Sequence, residues 1–322
     1  MTSALPTIQE FADAADIVYA VMPATPQYAW PLLCERIGAE VWIKHENHTP
    51  TGAFKIRGGL TYFAKIRELD RNCKGVITAT RGNHGQSVGI AARRHGLHAT
   101  IVVPRGNSAE KNAAMRALGV ELIEHGDDFQ AARELSMELA AQRSLHAIPS
   151  FHRHLMTGVG TYSVEFLRAV PKLEVVYVPI GLGSGICGMI AARAALSHPV
   201  EIVGVVADAA PAYALSFAAK RPVEHAVTTQ IADGLACRAT DDDALALILR
   251  HVSRIVRVTD AEIVSAMRVL YTDTHNLAEG AGAAGFAAIM QERNLLRGKC
   301  VGTVMTGGNV DLALFARTVA AS

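Results

Sequence analysis

At 322 residues the chain is long enough for two domains, or one large one, with ample material for a buried core. Half of its residues are hydrophobic, and 31 Lys and Arg against 30 Asp and Glu leave a formal charge of +1. That balance argues against a disordered chain and against any general electrostatic pull toward nucleic acid or an anionic membrane, so specificity must come from a site.

Cys34, Cys73, Cys187, Cys237 and Cys300 are scattered and form no CxxC pair, which points away from a disulfide framework or a structural zinc site and toward a reducing compartment. The opening MTSALPTIQEFADAAD has no basic segment followed by an apolar one. No run approaches the ~18 apolar residues that span a bilayer, so a soluble cytoplasmic protein is expected.

In chain order, the first informative segment is Thr49-Pro50-Thr51-Gly52-Ala53-Phe54-Lys55-Ile56-Arg57-Gly58-Gly59. Lys55 sits between two apolar side chains, where desolvation disfavours the ammonium and frees the amine as a nucleophile. A surface lysine at the start of a helix fits this segment equally well. A strand is predicted over 75–80, a helix over 85–96 ending at Gly96, and a strand over 98–104. Next come a helix over 108–119, opened by Ser108 and closed by Gly119, a strand over 120–125 and a helix over 127–143. The β-branched runs at 174–180 and 201–207 read as parallel strands buried on both faces, with the helix between them completing a βαβ unit. The pattern is α/β, with sheets covered by helices on both faces. One β/α series occupies 75–148 and a second runs from 174 onward, the chain crossing between them near 149–154.

Three more loops join strands to helices or follow a strand. Thr80-Arg81-Gly82-Asn83-His84-Gly85-Gln86 offers free N–H groups at a helix N-terminus, suited to a carboxylate or phosphate, although an ordinary tight turn is as good a reading. Gly181-Leu182-Gly183-Ser184-Gly185 lets the backbone wrap a phosphate while Ser184 adds a hydroxyl. The same unit contains GSGICG, a GxGxxG after a strand, with Asp208 placed where a dinucleotide fold would keep its ribose-binding acid. A nicotinamide-dependent oxidoreductase is therefore the alternative from a different class. The last loop, Thr306-Gly307-Gly308-Asn309, reads alone as a plain turn.

Together and in this order, AFKIRGG, TRGNHGQ, GLGSG and TGGN resemble the motifs of the fold-type II pyridoxal-phosphate enzymes, most closely the threonine/serine dehydratase branch. The likeness runs from about residue 24 to 310 and includes ADGLA at 232–236 and EGAGAA at 279–284. It implies the tryptophan synthase β-like architecture. A large cofactor-binding domain would span 1–74 plus 149–322 and a small α/β domain 75–148, with pyridoxal 5'-phosphate in the cleft between them. It further implies an imine between the cofactor and Lys55, Phe54 against the pyridine ring, and Asn83 on its O3′. The Gly181, Leu182, Gly183, Ser184 and Gly185 loop would hold the phosphate, Glu279 would stand near the cofactor, and Thr306 would contact the ring nitrogen. A hydroxyl there does not hold that nitrogen protonated, which steers chemistry toward β-elimination and away from transamination. Thr80, Arg81, Gly82, Asn83 and His84 would receive the substrate carboxylate.

The implied activity is an ammonia-lyase acting on threonine, serine or 3-hydroxyaspartate, in a homodimer. Amino-acid racemisation is the alternative within the family. Racemising relatives carry a hydroxyl residue at the place of Arg81, and a guanidinium is a poor proton shuttle. Arg81 could instead pair a side-chain carboxylate of the substrate, or a structural acid. No metal is expected: Asp208 has no second acid nearby, and His45, His48, His152 and His154 read as capping or surface residues.

Overall fold

A computed structural model describes residues 5–70 and 72–320; the first four residues, part of the opening read above as lacking a leader, lie outside it. Among the described residues, ten strands form two sheets. The larger contains β1 (Gln27–Ala29), β2 (Glu40–His45), β7 (Val175–Pro179), β8 (Glu201–Ala207), β9 (Arg254–Val258) and β10 (Cys300–Met305), in the order β1-β2-β10-β7-β8-β9. All its pairings are parallel except β1 with β2. The smaller contains β3 (Gly75–Ala79), β4 (His98–Val103), β5 (Glu121–Glu124) and β6 (His146–Ala147), all parallel in the order β5-β4-β3-β6. Two parallel sheets need crossover helices on their faces, and this is what buries β3, β7 and nearly all of β8.

Every strand of the smaller sheet falls within 75–148, and the chain leaves it just before the helix Arg153–Ala169, next to the expected crossing. The helix Lys55–Leu69 nevertheless sends Ile56, Leu60 and Phe63 into that sheet's core, beside Val76, Val88, Ile101 and Met115. Thus the segment that carries Lys55 is packed against both sheets.

Local rules explain the helix ends. Ser108 Oγ accepts the Lys111 N–H at 3.0 Å, and Asp128 Oδ1 accepts that of Ala131 at 2.8 Å, capping the helices Ala109–Ala117 and Phe129–Arg143. The helix predicted to begin at 85 begins at Asn83, because Gly82, at φ 157°, turns the chain two residues earlier.

Beneath the lysine loop lies a closed ionic cluster. Arg57, fully buried, donates to Glu46 at 2.7 and 3.0 Å, to Glu165 at 2.6 and 3.1 Å and to Thr161 at 3.0 Å. Lys44, also fully buried, donates to Glu165 at 2.5 Å and to the Thr25 carbonyl at 2.7 Å. Two cations and two carboxylates compensate one another, as burial of charge requires.

Candidate active site

The four loops follow the C-terminal ends of β2, β3, β7 and β10, the edge at which open α/β sheets bind ligands. Backbone bonds tie them together. Phe54 N–H donates to the Thr306 carbonyl at 3.0 Å, Gly308 N–H to Gly52 at 2.9 Å, and Glu279 N–H to Gly307 at 3.0 Å. Thr306 is buried at the end of β10.

Lys55 Nζ donates to Ser184 Oγ at 2.8 Å and lies 4.9 Å from the centre of the Phe54 ring. Burial pushes its amine down to about 8, so the neutral form becomes populated just above neutral pH rather than above pH 10. Phe54 meets Tyr162 edge-on, at 6.0 Å between ring centres, and Tyr162 Oη donates to the Gly185 carbonyl at 3.3 Å. The lysine, its aromatic neighbour and the glycine loop thus form one packed unit.

The glycine loop is confined as well as flexible. Gly183 takes φ 102°, and a Cβ on Gly181 would come within 2.3 Å of the Gly234 carbonyl. Ser184 opens the helix Ser184–Ala195, whose first backbone bond runs from Cys187 N–H to Gly183, so its preceding N–H groups have no intrahelical partner. They and the helix dipole make a site for an anion.

In the asparagine loop, Asn83 Nδ2 donates to Glu279 at 2.5 Å while Asn83 Oδ1 accepts from Asn309 Nδ2 at 2.8 Å. Glu279 caps the helix Gly280–Gln291 only by position. Its side chain makes no cap bond and turns to Asn83 and to Lys111, 3.4 Å away. Arg81 rests on Asp233 at 3.3 Å, so the structural-acid alternative describes this conformation. His84 Nε2 and Gln86 Nε2 are buried without a partner. Burial and the nearby Lys55 push the His84 imidazole down to about 3, which keeps it neutral near pH 7.

The sequence of the family described as "Pyridoxal-phosphate dependent enzyme" matches residues 21–307. The chain belongs to that family. An L-threonine ammonia-lyase of Thermotoga maritima is 32% identical over 314 residues, covering 97% of this chain and 78% of that protein. An L-threo-3-hydroxyaspartate ammonia-lyase of Saccharomyces cerevisiae is 31% identical over 316 residues, covering 98% and 97%. Among solved structures, maize serine racemase superposes with a TM-score of 0.89 at 27% identity, covering 98% of this chain and 97% of that one. The two-sheet α/β architecture is thus that of the fold-type II pyridoxal-phosphate enzymes.

The residues present fit the cofactor of a pyridoxal-phosphate dependent enzyme. A partly neutral amine stands beside a cramped glycine loop at a helix N-terminus, and an orphaned imidazole nitrogen lies close enough to feel the Lys55 charge. The dinucleotide alternative fails for this family member, and Asp208, the acid it needs, pairs with Arg257 at 2.7 Å.

Several outcomes differ from expectation. His45 is neither capping nor exposed: it is fully buried, bonded to Trp30 Nε1 at 3.0 Å and stacked on His48. His152 does cap, its Nδ1 accepting the His154 N–H at 3.1 Å. Sequence reasoning missed Lys111, an unremarkable lysine in an alanine-rich helix. It also passed over Cys237, which shares the buried surroundings of Lys55 and whose thiol burial pushes up to about 12. Among the described residues, no helix is long and apolar enough to cross a membrane.

Proposed function

We propose that the protein is an ammonia-lyase that converts a β-hydroxy amino acid of the threonine, serine or 3-hydroxyaspartate type into a 2-oxo acid and ammonia by α,β-elimination. The observation that carries this reading is the Lys55 amine, lowered to about 8 and held on Ser184 at the mouth of the glycine loop. Bound pyridoxal phosphate supplies an electron sink for the bond electrons of the substrate Cα. Lys55 Nζ is then the base that takes the Cα proton. The Gly181, Leu182, Gly183, Ser184 and Gly185 loop would hold the phosphate on its N–H groups, Phe54 would pack on the ring, Asn83 would bond its oxygen, and Thr306 would meet its nitrogen without a charge. Glu279 lines the site and holds Asn83. In the Thr80, Arg81, Gly82, Asn83 and His84 loop the N–H groups of Thr80 and Gly82 are spent on the Val102 carbonyl and on Thr80 Oγ1, at 3.0 and 3.1 Å, and those of Arg81, Asn83 and His84 orient the substrate carboxylate.

Racemisation is the second reading, supported by the likeness to maize serine racemase. It needs a second proton carrier on the opposite face of the substrate, and a guanidinium, here that of Arg81 paired with Asp233, is a poor one. The ammonia-lyase reading also carries a large domain of 1–74 plus 149–322 around a small one of 75–148, a homodimer, and a cytoplasmic location, the last supported by five free cysteines.

The purified protein is expected to show a visible absorption band that borohydride abolishes and that Lys55→Ala lacks. It should release a 2-oxo acid from at least one of threonine, serine and 3-hydroxyaspartate. A coloured protein that only inverts configuration would establish the racemase instead.

A further inference from the structure

Lys111 has no part in the chemistry above, yet it is buried and reaches into the cleft from the helix Ala109–Ala117. Its stem lies so close to the asparagine loop that a Cβ on Gly82 would sit 2.5 Å from Lys111 Cδ. Its Nζ is 3.4 Å from Glu279 and 3.7 Å from Asp233. Glu279, buried in turn, accepts from Asn83 Nδ2, while Asn309 donates to Asn83 Oδ1. Both polar ends of the Asn83 amide are therefore engaged, with the second Nδ2 hydrogen left for a further acceptor, and the amide cannot flip while Glu279 is an acceptor.

We propose that Lys111 is a positioning residue: its ammonium anchors the Glu279 carboxylate, and Glu279 fixes the Asn83 amide that faces the cofactor. The proposal rests on the role given to Asn83 above. The groups facing Glu279 are Lys111, Asp233 and the Asn83 amide, and those facing Lys111 are Glu279, Asp233 and Asp311. Burial pushes the Glu279 carboxyl up, and Lys111, ahead of Asn83, opposes it. Without the ammonium, Glu279 takes up a proton at higher pH, ceases to be a pure acceptor and releases the amide.

The test compares wild type, Lys111→Met, Lys111→Arg and the double variant Lys111→Met/Glu279→Gln, each loaded with pyridoxal phosphate. Lys111→Met is expected to lower kcat/KM by roughly tenfold or more, and to move both the acidic limb of activity and the pH midpoint of the visible band upward by about one unit or more. Lys111→Arg keeps the charge and restores both. In the double variant that limb disappears, because glutamine cannot titrate. Should Lys111→Met fail to fold, the double variant, which has no unpaired buried carboxylate, still gives the answer.

A Lys111→Met protein with the wild-type limb and spectrum, a Lys111→Arg protein as impaired as Lys111→Met, or a limb that persists in the double variant overturns the proposal. A wild-type protein that takes up no cofactor sinks the role of Asn83 instead. The titration of the Glu279 carboxyl, followed by carbon-13 NMR in wild type and Lys111→Met, then decides whether Lys111 anchors it.

Discussion

Two ionic clusters in this molecule use the same residue types to different ends. Around Arg57, each carboxylate is met by more than one donor: Glu46 by Arg57 and Thr25, Glu165 by Arg57, Lys44 and Tyr19. Across the cleft, Lys111, Asp233, Glu279 and Arg81 are held at 3.3 to 3.7 Å, and the neighbouring His84 and Gln86 leave buried nitrogens without partners. The first cluster is closed and holds the helix that carries Lys55. In the second the ionic contacts are longer, the one short bond to Glu279 comes from the Asn83 amide at 2.5 Å, and buried nitrogens without partners lie beside it. Satisfaction of hydrogen bonds, more than the presence of charge, separates a structural cluster from a functional one.

The largest effect that could break this contrast lies in the closed cluster. Arg57→Met leaves Glu46 with the Thr25 hydroxyl and Glu165 with Lys44 and Tyr19, one cation for two buried carboxylates, and should cost about 3–5 kcal/mol in denaturant unfolding. Lys111→Met should cost less than half of that, because Glu279 can take up a proton; equal losses would erase the distinction. Next, Gly181→Ala pushes a Cβ to 2.3 Å from the Gly234 carbonyl. It should cost about 1–3 kcal/mol and weaken cofactor binding, read by equilibrium dialysis, with the ion clusters undisturbed.

A smaller effect concerns Lys55 in the cofactor-free protein. Its amine is lowered to about 8 from 10.5, so between those pH values the unfolded chain binds more protons than the folded one. Stability should therefore rise across that window relative to Lys55→Met, and unfolding at pH 8 and pH 10 measures it. The smallest effect is expected of Arg81→Ala. Its exposed pair with Asp233 is worth under about 1 kcal/mol, and the ranking of threonine against 3-hydroxyaspartate should stay as in wild type. A reversed ranking would mean that Arg81 leaves Asp233 for the substrate.

What could be read in the sequence was local. The run at 201–207 coincides with β8, and Ser108 and the glycine at 119 bound their helix, because strand burial and caps depend on neighbouring residues. The capping box of Thr7 and Glu10 is equally local and marks the helix Ile8–Tyr19, which was not among the predicted elements. The long helix Arg153–Ala169, also absent from the predicted elements, is buried along most of its length, and the side chains that bury it, such as Phe11, Ile186 and Met189, come from other helices. Of the site, the glycine and lysine loops were legible because turns and phosphate cradles have short signatures. Lys111 was not: its partner Glu279 is far away in the chain, and nothing around it in sequence says that it is buried. Arg57 stood in the lysine motif, yet its partners Glu46 and Glu165 come from a different strand end and a different helix.

The strand order has a consequence for biosynthesis. β10 is the last strand made, yet it lies between β2 and β7, and the turn after it supplies the Thr306 and Gly307 contacts that fasten the lysine loop. Lys55 emerges from the ribosome early and waits for some 250 further residues, roughly 10–50 s at ordinary translation rates, before its pocket can close. In that interval Lys55 is an ordinary ammonium, because the burial that lowers its amine to about 8 arrives only with the closed pocket.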